Sequence, residues 1–210
     1  MLKLGIMGTN WITDAFIEGA LNSGEWELTA VYSRTEEKAA DFAEKYGSTQ
    51  MLFTDVKEMA ESDALDAVYI ASPNGMHFEH AMTFLKAEKH VIVEKPIFST
   101  VGELETAHRT AREHGVFLFE AARHIQEPNF KILKENVGRV GKLHGATLAY
   151  MKYSSRYDSV LSGEEPNIFF ASLFWRFDCR SWCLSALFSG FSIRRSGCCT
   201  LFCNENAHWC

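Results

Sequence analysis

Short apolar runs alternate with stretches of helical pattern through the first 120 residues, and no other feature constrains the fold as tightly. The runs are Leu2–Met7, Trp26–Tyr32, Met51–Phe53, 66–71, His90–Val93 and 116–119. Each is 3–7 residues long and reads as a strand, and the 66–71 and His90–Val93 runs read as strands buried on both faces. Helix signals fill the gaps. Thr35 caps a helix ending near Tyr46 and Gly47, residues 55–60 form a short one, and residues 75–87 a longer one. Ser99 or Thr100 opens another that runs to Glu113 and stops at Gly115. Strands and helices alternating at this spacing predict an α/β fold with a doubly wound parallel sheet and right-handed crossovers.

Such a sheet does its chemistry beyond the carboxyl ends of its strands, so the residues just after each run matter most. Gly8-Thr9-Asn10-Trp11-Ile12-Thr13 follows the first run and precedes a helix, the position of a phosphate-binding loop. The Rossmann fingerprint places glycine at three points. Here Gly8 supplies the first, Asn10 takes the second and Thr13 the third; Asn tolerates left-handed backbone better than most residues. After the second run come Ser33 and Arg34, a hydroxyl and a guanidinium suited to the extra phosphate of NADP where an acidic residue would select NAD. The fourth run ends in Ser72-Pro73-Asn74, and the fifth in Glu94-Lys95-Pro96, which puts a charged amine at the end of a buried strand.

Charge and hydropathy narrow the class of partner. The net charge of -6 argues against nucleic acid. No apolar run approaches the roughly 20 residues of a membrane span. No N-terminal stretch reads as a secretion signal, which points to the cytoplasm. The partner expected of this composition and edge is a small molecule.

Taken together, the Gly8 loop, Ser33-Arg34, Ser72-Pro73-Asn74 with His77, Glu94-Lys95-Pro96, and Glu120 with Arg123 resemble the Gfo/Idh/MocA family of NAD(P)-dependent oxidoreductases. The resemblance covers residues 1 to about 169. It implies that Lys95 lies beside nicotinamide and substrate, assisting proton transfer during hydride transfer to or from a sugar, cyclitol or diol. It implies that the 8–12 loop, Ser33, Arg34, Pro73, Asn74, His77, Glu94 and Arg123 contact NADP, or NAD as the alternative. It also implies a homo-oligomer for intact members. Simpler roles stand beside these. A histidine in a first helical turn can cap or pack, Arg34 can pair with Glu36 or Glu37, Arg123 can form a salt bridge, and Asp55 with Glu58 reads as a solvated helix face. No metal site is expected at this edge.

The composition changes after residue 169, so the expected division is a dinucleotide-binding domain over 1–122, the start of an α+β second domain over 123–169, and an aberrant tail over 170–210. A helix over 128–137 and a long strand over 142–154 open the second domain. All six cysteines fall in the tail. A metal-binding or disulfide module is one reading, with Cys179, Cys183, Cys198, Cys199, Cys203 and His208 as ligands, but no paired zinc spacing is present. A shifted reading frame accounts for more. Tryptophan has a single codon, TGG, so a one-base shift turns Trp175 and Trp182 into glycine. Permitted codons then allow 170–184 to read Ser-Pro-Val-Tyr-Ser-Gly-Gly-Leu-Ile-Val-Asp-Leu-Gly-Val-Tyr, similar to the family's second-domain Gly-Gly and Asp-x-Gly-x-His segment. A nucleotide read across codons 165–185 that lacks this frame would sink the idea. On this reading the chain is an inactive or slightly active cofactor-binding remnant of an oxidoreductase.

Overall fold

The computed structural model describes residues 1–47, 50–142, 144, 153 and 157–164. Six strands form one parallel sheet: β1 (Leu2–Met7), β2 (Trp26–Tyr32), β3 (Met51–Phe53), β4 (Ala67–Ile70), β5 (His90–Val93) and β6 (Leu118–Glu120). The order across the sheet is β3-β2-β1-β4-β5-β6, all neighbours parallel. The chain therefore builds outward from β1 in one direction, then returns to lay β4 on the other side of β1. That reversal creates the switch point at which doubly wound sheets bind ligands.

The connecting helices are α1 (Trp11–Asn22), α2 (Glu36–Glu44), α3 (Val56–Glu61), α4 (His77–Lys86) and α5 (Val101–Glu113); α6 (Pro128–Asn136) follows the sheet, and α7 (Tyr157–Leu161) comes last. Their starts are fixed by side chains that satisfy orphan N–H groups. Asn10 caps α1, Thr35 caps α2 and Asp55 caps α3, accepting from Lys57 and Glu58. Asp55 is thus a cap and not merely part of a solvated face. Thr100, not Ser99, opens α5 in a full capping box with Glu103.

Burial on both faces explains the apolar runs of the inner strands, whereas at the edges of the sheet Met51 and Leu52 of β3 and Phe119 of β6 stay exposed. On one face Met7, Val68, Ile70, Val91, Val93 and Leu118 pack with Phe84 and Leu85 of α4 and Ala107 and Ala111 of α5. On the other, Leu4, Ile6, Val31 and Tyr69 pack with Ile17 of α1 and Phe42 of α2. At about 1.5–3 kcal/mol for each large side chain, this two-sided burial is the main stabilising contribution.

Two boundaries differ from the sequence pattern for local reasons. The last strand begins at Leu118 instead of residue 116, because Val116 N–H donates to Ala111 C=O and so closes the end of α5. The helix expected from residue 75 opens with a 3-10 turn over Asn74–Met76 before α4 proper. The strand expected over 142–154 lies outside the described residues save for three positions, and the tail after 169 lies wholly outside them.

Candidate functional site

Register brings the sequence-predicted residues to one edge. Met7 pairs with Tyr32 and Ile70, Ile70 with Val93, and Val93 with Glu120. One residue further on, Gly8, Ser33, Ala71, Glu94 and Ala121 stand in a row across the carboxyl end of the sheet.

At the switch point, β1 and β4 deliver the Gly8 loop and Ser72-Pro73-Asn74 side by side. Gly8 has φ +107°, and a Cβ there would lie 2.7 Å from the Ala71 carbonyl oxygen. Glycine is required by both the backbone angle and the close approach. Asn10 does not supply a left-handed residue; its φ is -118°. Its Oδ1 accepts from Ile12 N–H at 3.0 Å, and its Nδ2 donates to Ala71 C=O at 3.4 Å. Thr13 and Asp14 N–H return to Asn10 C=O. Among the described residues this leaves the N–H groups of Thr9, Asn10 and Trp11 without a protein acceptor, at the positive end of a 12-residue helix. An anionic pyrophosphate fits that set of donors. Thr13, at the third glycine place, is fully buried against the sheet, and its Oγ1 has no partner among the described residues.

Ser33 is buried at the end of β2 while Arg34 is exposed, and Arg34 forms no ion pair among the described residues. The guanidinium is therefore free to meet a ligand, and the alternative pairing with Glu36 or Glu37 is not formed. Pro73 is exposed and Asn74 half-buried in the 3-10 turn.

Glu94-Lys95-Pro96 is held from several sides, with the Lys95–Pro96 bond cis. Glu94 Oε1 accepts from the Tyr69 hydroxyl at 2.7 Å. Glu94 Oε2 accepts from Lys95 N–H at 3.2 Å and lies 3.8 Å from Lys95 Nζ. The Lys95 side chain remains 37% exposed, so its amine reaches the open edge while its partner carboxylate is 14% exposed. From β6, Glu120 Oε1 accepts from Ile97 N–H at 3.0 Å and secures the segment that follows. Arg123 sits further out, its side chain 80% exposed and 3.6 Å from Glu127, which is the salt-bridge role.

His77 lies beneath the edge. It is 1% exposed, with Nδ1 2.9 Å from Pro96 C=O and Nε2 2.9 Å from Ser72 C=O, so it reaches the edge only through those two segments. His80, also buried, places Nδ1 2.9 Å from Ser72 Oγ. Burial, the largest cause, holds both imidazoles below the ordinary histidine range; for His77 the carbonyls of Pro96, Ser72 and Ile97 and the charge of Glu94 oppose it without prevailing. A neutral His77 has one N–H and donates to one of its two carbonyls at a time.

These two rings make stability acid-sensitive. Below the ordinary value of 6.5 the unfolded chain binds protons that the folded chain refuses, so their contribution is complete above pH 6.5 and is lost as pH falls towards the lower folded values. Thermal melting should show a midpoint that falls from pH 7 to pH 5, with a smaller fall in His80→Gln. A midpoint that holds steady across that range would show that burial does not exclude the proton.

The parallel sheet, its switch point and the free N–H groups beside Gly8 define a dinucleotide-binding α/β protein. The sequence matches an oxidoreductase family with an NAD-binding Rossmann fold over residues 2–122, and the chain belongs to that family, Gfo/Idh/MocA. It is 48% identical over 169 residues to an uncharacterized oxidoreductase of Escherichia coli strain K12, and 46% identical over 169 residues to a scyllo-inositol 2-dehydrogenase (NADP(+)) of Bacillus subtilis strain 168. Each match covers 80% of this chain and 51% of the relative, so the chain spans about half the length of the curated relatives it matches. Among solved structures it is similar to a scyllo-inositol dehydrogenase from Lactobacillus casei with bound NAD(H) and scyllo-inositol. That likeness has a TM-score of 0.61 and 25% identity, covering 68% of this chain and 43% of the other.

Among the described residues no helix is long and apolar enough to cross a membrane. Tyr69, which holds the site from below, carries no signal of its own in the sequence and becomes visible only once register is known, whereas Glu120, read in the sequence together with Arg123, holds the site from the side.

Proposed function

We propose that this chain supplies the dinucleotide-binding half of an NADP-preferring oxidoreductase that moves hydride between nicotinamide and a hydroxyl-bearing carbon of a sugar, cyclitol or diol. The observation that supports it most is the row at the sheet edge, where Gly8, Ser33 and Glu94 follow three register-matched strand ends. The pyrophosphate would rest on the N–H groups of Thr9, Asn10 and Trp11, with Ile12 at its flank. Ser33 and Arg34 would take the ribose phosphate, and Pro73, Asn74 and Glu94 would bound the nicotinamide half. His77 would act from beneath, and Arg123 from the rim. The bound nicotinamide supplies the hydride chemistry. Lys95 would orient the substrate oxygen and take or return its proton.

The preference for NADP rests on a cation and a hydroxyl at the end of β2, with no carboxylate there, and agrees with the cofactor printed for the Bacillus subtilis relative. The cyclitol reading draws on the same relative and on the inositol-bound structure. On this reading binding should be measurable ahead of turnover, and turnover should be slight.

Fluorescence titration with NADPH and NADH tests the reading. NADPH should bind about tenfold tighter, the effect of one charge-assisted phosphate contact, and Arg34→Ala should remove that advantage. Tighter binding of NADH would overturn the NADP assignment, and binding of neither would overturn the dinucleotide reading.

A further inference from the structure

Tyr69 lies in the middle of β4 and is wholly buried, yet it carries a hydroxyl that the sheet core does not need. A buried hydroxyl without an acceptor is costly, so its partner defines its purpose. That partner is Glu94 Oε1, 2.7 Å away and 25 residues further along the chain. The contact is short and charge-assisted. The Tyr69 ring is itself fixed, stacked on Phe16 of α1 with centroids 3.8 Å apart and planes 4° from parallel.

We propose that Tyr69 is a positioning residue for the candidate site: anchored by Phe16, it holds the Glu94 carboxylate so that Oε2 stays turned to Lys95. This rests on reading the edge as the dinucleotide site. The geometry divides the carboxylate's two oxygens cleanly. Oε1 is committed to the buried phenol, and Oε2 receives Lys95 N–H at 3.2 Å and faces the amine at 3.8 Å. With Oε1 fixed, the carboxylate cannot rotate away from Lys95 into solvent. Phe16 rides on the helix whose first turn faces the phosphate position, so one contact chain, Phe16–Tyr69–Glu94, joins the two halves of the edge.

The phenol serves as a permanent donor and not as an acid. Burial first, and the Glu94 charge second, push its ionisation far above the ordinary tyrosine range. It therefore keeps its proton at neutral pH.

The test compares wild type, Tyr69→Phe, Glu94→Ala and the double variant in the 210-residue chain. Tyr69→Phe keeps the ring and its stack, so the melting midpoint should move little. Without the hydroxyl, NADPH binding should weaken about tenfold, the typical reach of one charge-assisted hydrogen bond. In the Glu94→Ala background the same substitution should change binding less than about twofold, because its effect runs through the Glu94 side chain. Equal losses in both backgrounds, or no loss in the Glu94 background, overturn the proposal. A cofactor-free readout separates it from the dinucleotide reading. Amide exchange at Lys95 should quicken about tenfold in Tyr69→Phe as the Glu94 Oε2 contact loosens. Unchanged exchange overturns the positioning role, even if NADPH binds. Quickened exchange in a chain that binds neither NADPH nor NADH supports that role while the dinucleotide reading falls.

Discussion

Gly8→Val should leave a chain that still folds but binds NADPH at least about 100-fold more weakly, with a melting midpoint lowered by roughly 10 °C. Two separate costs meet at this position. A β-branched residue at φ +107° is a backbone outlier, of order 1–3 kcal/mol. The new Cβ would also stand 2.7 Å from the Ala71 carbonyl oxygen, a backbone atom of the neighbouring strand end that cannot swing aside as a flexible side chain could. Against a typical total stability of about 5–15 kcal/mol, a loss of this size leaves the sheet folded. The local solution is displacement of the loop. That displacement separates the N–H groups of Thr9, Asn10 and Trp11 from each other and from the end of α1, so affinity suffers more than stability. Thermal melting and NADPH titration on the same sample check it. A variant that melts within a degree of wild type and binds equally well would show that the Gly8 approach is not needed for the site.

The inner strands were legible because burial on both faces writes a largely apolar run, and the helix starts because a capping oxygen must precede them. Asn10 shows the limit of such reading. A three-glycine fingerprint suggests that its replacement must tolerate left-handed backbone, yet only Gly8 takes a positive φ, and Asn10 is an extended cap. One residue type fits both roles, and sequence alone does not separate them. Thr13 adds to this: at the third glycine place it is buried against the sheet, so a hydroxyl is accommodated where the fingerprint has no side chain. What was illegible depends on register. Tyr69 looks like any aromatic in a strand until Ile70 is paired with Val93, which brings its hydroxyl to Glu94. His77 looks like a surface cap until α4 is packed down and its two nitrogens meet Ser72 and Pro96. Local patterns specify elements, whereas these contacts join segments 5 to 25 residues apart through the third dimension.

The second large effect concerns Lys95, whose amine is the cation that the β5 end presents to the open edge. If it handles the substrate's proton, Lys95→Ala should slow hydride transfer by about 10²–10⁴-fold, the range for a positioned acid or base. NADPH affinity should change far less, by under about threefold, because in the proposed role Lys95 would face the substrate oxygen and not the phosphates. The Glu94 carboxylate would keep its Tyr69 contact and is open enough to hydrate, so the loss of its 3.8 Å partner should not unfold the edge. The measurement is NADPH appearance from NADP and scyllo-inositol, run at enzyme concentrations high enough to read a slight rate, beside a dinucleotide titration of both proteins. Lys95→Arg, which keeps the charge but cannot give up its proton, should be almost as slow as the alanine variant. A Lys95→Ala rate within threefold of wild type would remove Lys95 from the chemistry. A wild-type chain with tight NADPH binding and no rate at all would leave a dinucleotide-binding protein whose amine has no substrate to act on.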